Sequence, residues 1–215
     1  MIGALIFDMD GVIIDSEPMH VDVDLVTSEY FGIAVTKEHF EEFVGMTNPE
    51  MWNILKQRYH LPQPVSEIID YQLSLKINVL KAADMEPIDG IKELIHELRE
   101  HNIPCAIASS SPRKFIEEVL LKFNMTHLFQ RIVSGEEVAH GKPAPDVYIE
   151  AASQLGVDAR SCVVLEDSKN GIAAAKAAGM KCIGYDNPNS GNQSLLEADI
   201  IVRSIRDIRV EEFLR

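Results

Sequence analysis

The chain has 215 residues, of which 46% are apolar, with 20 Lys+Arg against 34 Asp+Glu for a net charge of −14. That is ordinary globular composition with material for a full core, and it excludes a disordered or fibrous chain. The acidity and the lack of any basic run exclude nucleic acid and an anionic membrane surface as partners, because the attraction behind both is missing. An anionic small molecule stays possible only if something local reverses the field.

The opening MIGALIFDMD is apolar, but it carries no basic region and Asp8 interrupts it. No later stretch approaches the roughly 18 apolar residues of a membrane span, so the chain reads as cytoplasmic, without a secretory signal or membrane anchor. Residues 3–7 form the first predicted strand, a continuous apolar run of the kind that is covered on both faces. Residues 15–85 hold no convincing strand and about four helical patterns. They carry 12 acids and 5 bases, so this third of the chain supplies half the net charge. Further strands are predicted at 103–108, 131–134, 162–165, 181–185 and 200–202, and amphipathic helices at 88–101, 112–123, 145–155 and 168–178. Strand–helix alternation implies an α/β fold with a doubly wound, mostly parallel sheet. The expected division is a core of residues 1–14 and 86–215 and a small α-helical domain of residues 15–85, inserted after the first strand. Ligands of such sheets bind beyond the carboxyl ends of the strands, so an insertion there has the place of a lid. Cys105, Cys162 and Cys182 sit in or beside apolar runs and read as small buried hydrophobes. Trp52 reads as core of the helical insertion, and Ser168 as the N-cap of the helix it precedes.

Chemistry concentrates after four of the strands. Asp8 and Asp10 follow the first and Ser109 the second; Lys142 lies in the loop GKPAPD, and Glu166–Asp167 close the 162–165 run. A parallel sheet brings all four groups to one edge. Carboxylates gathered there repel one another unless a cation sits among them, and oxygen ligands without Cys or His suit Mg²⁺. A lysine and a serine hydroxyl beside a divalent ion make a clamp for a phosphoryl group. Neither a calcium loop nor a P-loop fits: DMDG lacks the remaining ligand positions, and Pro143 stands where the P-loop needs Ser or Thr.

DMDGVIIDSEP, the Ser109 strand end, GKPAPD and LEDSKNG together resemble the four motifs of the haloacid dehalogenase-like phosphatases, in that family's order and over the whole chain. Within the family the resemblance is closest to the β-phosphoglucomutase-like branch. It implies a Rossmann-like core with the helical insertion as a cap. It also implies Asp8 as a nucleophile forming an aspartyl phosphate, and Asp10 as general acid and base whose main-chain carbonyl binds the metal. Asp167 and Glu166 would complete the Mg²⁺ site, and Ser109 and Lys142 would hold the phosphoryl oxygens.

The substrate side rests on the same resemblance. His20 matches a histidine that positions or deprotonates a substrate hydroxyl, and Glu17 falls in the same stretch. Residues 45–48 (GMTN) resemble the family's specificity loop, making Gly45, Thr47 and Asn48 candidates, with Ser110 and Ser111 beside Ser109. The mutases of this branch have an Arg where Asn48 stands and a Lys where Pro112 stands, both serving a second phosphate; Lys76 and Arg113 are the cations that would compensate. These departures favour a Mg²⁺-dependent phosphatase of a small phosphorylated metabolite over a mutase interconverting β-glucose 1-phosphate and glucose 6-phosphate; the helices of the insertion read as packing on themselves, so a monomer is expected. A dehalogenase and a non-enzymatic phosphoryl-accepting module are more remote, since neither needs Asp10 and the module has no use for the insertion.

Overall fold

A computed structural model describes residues 2–40, 43, 47–191 and 193–213. Among them six strands form one parallel sheet: β1 (Ala4–Phe7), β2 (Cys105–Ser109), β3 (Arg131–Ser134), β4 (Cys162–Glu166), β5 (Lys181–Tyr185) and β6 (Ile200–Val202), in the order β3-β2-β1-β4-β5-β6. The described helices are α1 (Glu17–Tyr30), α2 (Lys37–Phe40), α3 (Asn48–Tyr59), α4 (Val65–Ala82), α5 (Ile91–Glu100), α6 (Arg113–Lys122), α7 (Asp146–Leu155), α8 (Lys169–Ala177) and α9 (Val210–Phe213). The strand order is that of a doubly wound fold, whose winding reverses beside β1. The apolar runs became strands because β1, β2 and β4 are buried at every position, which spares them the alternation of a half-exposed strand. Helix α5 starts three residues later than its amphipathic pattern, after a turn at Asp89–Gly90. None of the helices in the described residues is long and apolar enough to cross a membrane.

The chain divides into two compact units, Met1–Asp15 with Met85–Arg215, and Ser16–Asp84. In the first, alternate strand residues Ala4, Ile6, Ala106, Ala108 and Val164 pack against Val147, Tyr148, Ala151 and Ile172 of α7 and α8. The three cysteines are free and buried in this unit, and burial pushes the Cys105 thiol up to about 12. The Ile88 amide donates to the Ile13 carbonyl at 2.9 Å, joining the chain segments on either side of the insertion. The second unit has its own core, in which Ile33, Phe40, Leu55, Leu61 and Ile68 surround a fully buried Trp52. Its helix α3 opens with a capping box, Thr47 accepting from the Glu50 amide and Glu50 accepting from the Thr47 amide.

Candidate active site

At the end of β1 the chain turns sharply: the Met9 carbonyl accepts from the amides of Val12, Ile13 and Ile14. Asp8 and Asp10 flank Met9 and are held in place by that turn. Gly11 makes it possible, since its φ is +77° and a Cβ there would lie 1.9 Å from the Asp167 Oδ2. Asp10 Oδ2 accepts from the Ser111 hydroxyl at 2.7 Å and the Ser109 hydroxyl at 3.4 Å, and Ser109 Oγ in turn accepts from the Ser111 amide at 3.0 Å.

Lys142 reaches back from the GKPAPD loop with all three of its N–H groups engaged. They go to Asp8 Oδ1 at 2.5 Å, Glu166 Oε1 at 2.8 Å and the Ala108 carbonyl at 3.1 Å. Below it lies the ring of Tyr148, 4.8 Å from the ammonium to the centroid. Glu166 is equally committed. Its Oε1 accepts from Lys142 and from the Tyr148 hydroxyl at 3.0 Å, and its Oε2 accepts from the amides of Asp167 and Ser168 at 2.8 Å and the Ser168 hydroxyl at 3.0 Å. Asp167 accepts from the Ser190 hydroxyl, and the same loop sends the Asn187 amide to the Gly11 carbonyl at 2.9 Å.

Asp8, Glu166 and Asp167 are buried and can each offer an oxygen within 4.8 Å of the others. The cost shows in their proton affinities. Burial, then the neighbouring acids, push Asp167 up to about 9; burial also dominates at Asp8, raised to about 8 by burial and by Glu166 and Asp10 against the pull of Lys142. Glu166 is the exception: burial works to raise it, but Lys142 and the donors from Ser168 outweigh that and hold it below the usual range. Lys142 is driven up by Asp8 and Glu166 despite its own desolvation. Two buried acids that resist ionising beside a third held below its usual range are what a divalent cation would relieve, and an all-oxygen donor set suits Mg²⁺. The residues present fit that ion.

The sheet edge thus unites Asp8, Asp10, Ser109, Ser111, Lys142, Glu166 and Asp167. Ser110 is exposed beside them. The Arg113 guanidinium makes a bidentate pair with Glu137 at 2.7 and 2.6 Å and donates to the Ile132 carbonyl at 2.6 Å. Gly45 lies outside the described residues. In the helical unit, Thr47 is spent on capping α3, Glu17 occupies the first turn of α1, and His20 is half-buried on the same helix. Asn48 donates to Gln72 Oε1 at 3.1 Å, and Gln72 donates to Asp24. Lys76 is buried; burial raises the Asp24 carboxyl while Lys76 and Gln72 draw it down.

Sequence reasoning missed Tyr148, Ser190 and Asn187. Tyr148 carried one signal, a hydroxyl on the apolar face of the helix after GKPAPD. It also missed Gly171. Helix propensity alone makes Gly171→Ala stabilising, yet a Cβ there would stand 1.5 Å from Glu166 Oε1, an atom its donors prevent from moving. We expect Gly171→Ala to lose about 2 kcal/mol or more in denaturant unfolding; a stabilised variant would show Glu166 free to shift.

A family model described as haloacid dehalogenase-like hydrolase matches residues 5–185. Hexitol phosphatase B of Escherichia coli (strain K12) is 30% identical over 98% of this chain and 96% of its own length. The β-phosphoglucomutase of Bacillus subtilis (strain 168) is 31% identical over 97% of this chain and 92% of its own. Among solved structures, CbbY from Rhodobacter sphaeroides in complex with phosphate superimposes with a TM-score of 0.85 at 27% identity, covering 95% of each chain.

Proposed function

The chain belongs to the haloacid dehalogenase-like hydrolases, in their β-phosphoglucomutase-like branch, as a phosphoryl-transfer enzyme, and from that premise we propose that it is a Mg²⁺-dependent phosphatase of a small sugar or sugar-alcohol monophosphate. The observation that carries this reading is the meeting of Asp8, Asp10, Ser109, Lys142 and the Glu166–Asp167 pair at one sheet edge.

In this reading an Asp8 oxygen attacks phosphorus, the phosphorus–ester oxygen bond breaks, and Asp10 gives its proton to the departing alkoxide. Asp10 then takes a proton from water as that water attacks the aspartyl phosphate, which releases phosphate and restores Asp8. Ser109 and Ser111, bonded to the Asp10 carboxyl, hold it for both proton transfers. Asp8, Asp167 and the Asp10 carbonyl would hold Mg²⁺, with Glu166 alongside, and the ion would neutralise charge on the phosphoryl oxygens. The helical unit is the part read as choosing the ester.

Hydrolysis is favoured over isomerisation because a mutase must also bind a second phosphate. The cations available for that are committed: Arg113 to Glu137, and Lys76 opposite Asp24, while Asn48 brings no charge. The deciding assay is a panel of hexitol and hexose phosphates with Mg²⁺, including β-glucose 1-phosphate. Release of inorganic phosphate from several esters is expected. Fast isomerisation of the glucose phosphates with negligible release would establish the mutase instead.

A further inference from the structure

The loop that follows β5, residues 186–191, carries three polar side chains that reach back to the segment after β1 or to the acids beside it. The Ser190 hydroxyl donates to Asp167, the Asn189 side-chain amide donates to Asp15, and the Asn187 side-chain amide donates to the Gly11 carbonyl at 2.9 Å. Of the three residues Asn187 is the buried one, and both polar atoms of its side chain are engaged, since its Oδ1 accepts from the Asn189 backbone amide at 2.9 Å. Its backbone is tied down as well: the amide donates to the Tyr185 carbonyl at 2.9 Å, and the carbonyl accepts from the Ser190 amide at 3.2 Å. Asn187 is therefore a fixed post standing against Gly11. Gly11 is where the chain bends after Asp10, at a φ of +77°. A glycine has wide backbone freedom, so its own covalent structure does little to hold that bend. The peptide before Gly11 is held from inside the turn, its N–H donating to the Ile14 carbonyl at 2.7 Å. The peptide after it is held by Asn187, 176 residues away in the chain.

We propose that Asn187 is a positioning residue that acts through the Gly11 carbonyl, holding the turn so that the Asp10 carboxyl meets the ester oxygen as the leaving group departs. The proposal rests on the reading of Asp10 as the general acid. The serines at Asp10 Oδ2 fix the carboxyl from the side of β2, but the backbone that carries it can rock about Gly11 unless the carbonyl there is held. A general acid must lie within hydrogen-bond reach of the oxygen it protonates, and a displacement of about 1 Å can cost about 10²-fold in rate. The step at stake is the one in which the phosphorus–oxygen bond breaks and the Asp10 proton moves to the departing oxygen. A sugar-alcohol alkoxide needs that proton. The phenolate of an aryl ester leaves as a stable anion without it, so the two kinds of ester tell a misplaced acid from a damaged site.

Asn187→Ala removes the donor to Gly11. Two measurements are made on it. The first is kcat/KM at saturating Mg²⁺, which reports the steps up to departure of the leaving group, for p-nitrophenyl phosphate and for the best alkyl ester of the hexitol and hexose panel. The second is amide hydrogen exchange of the ester-free protein. On the alkyl ester kcat/KM is expected to fall about tenfold, the weight of one buried hydrogen bond, and on the aryl ester to stay within about twofold of wild type. The amides of Val12, Ile13 and Ile14, which all donate to the Met9 carbonyl, are expected to exchange about tenfold faster, with those of β4 unchanged. A loss on the aryl ester as large as that on the alkyl ester overturns the proposal, because a lower fraction of sound enzyme lowers both alike. Unchanged kcat/KM on both esters, or unchanged exchange at the turn, overturns it too. Should Asn187→Ala fail to fold, Asn187→Ser takes its place with the same outcomes: its hydroxyl can serve the Asn189 amide, and it has no amide for Gly11. If the wild-type protein hydrolyses neither ester, the functional reading fails, and exchange decides by itself whether Asn187 holds the turn: acceleration upholds that, and its absence overturns it.

Discussion

On the proposed mechanism, Asp8→Asn is expected to abolish turnover, by at least about 10⁴-fold, because the amide cannot serve as the attacking group and the two-step route through an acyl phosphate closes. The fold is expected to survive. Asp8 sits in a site where burial raises its pKa to about 8, so near neutrality the metal-free protein already holds much of it uncharged, and asparagine is a close replacement for that form. Lys142 keeps Glu166 and the Ala108 carbonyl as partners. Thermal unfolding of the metal-free variant should therefore match wild type or lie above it, and only the wild type should yield a phosphorylated Asp8 on brief exposure to ester. Near-normal phosphate release by the variant would remove Asp8 from the mechanism.

Chelation is expected to have the second large effect. On the proposed reading turnover should collapse in EDTA and return with Mg²⁺; persistence in EDTA would contradict the assignment. The same acids give the metal-free protein a pH dependence whose sign can be worked out. Asp8 and Asp167 have an ordinary value of 3.8 and are raised in the fold to about 8 and about 9. A group raised on folding binds its proton more tightly in the native state, so its stabilising contribution is complete below 3.8 and is lost as pH climbs through 8 and 9. In EDTA the unfolding temperature should drop between about pH 6 and about pH 9, and Mg²⁺ should blunt the drop most at the alkaline end. A flat profile in EDTA would mean that the acids are better hydrated than the structure implies.

The sheet was legible because its strands carry their own signal. Runs such as CVVLE and KCIGY are apolar at consecutive positions, and most of those residues became buried; loops flanking such strands are short, so the polar residues after them could be placed on one edge. Ser168 was legible as an N-cap for a similar reason, its acceptor role being to an amide three residues on. What stayed hidden depends on partners far apart in the chain. Tyr148 meets Glu166 across 18 residues, Ser190 meets Asp167 across 23, and Arg113 meets Glu137 across 24. No periodicity marks such pairs, because they arise where separate strands and loops happen to end. Lys76 was equally hidden: a lysine on an amphipathic helix is ordinarily solvated, yet this one is buried and draws down the Asp24 carboxyl of α1.

The hydrogen bond between Ile88 and Ile13 has a consequence for how such a protein diversifies. It pins together the two points where the chain leaves the sheet-bearing unit and returns to it, and the stretch between them has a core of its own around Trp52. Residues 14–87 are therefore a closed loop whose ends are fixed by the host and whose interior is stabilised by itself. Lengthening, shortening or exchanging such a loop costs little in closure entropy, since that cost grows only logarithmically with length. A stretch so built can change in length and sequence at little closure cost to the unit that carries it.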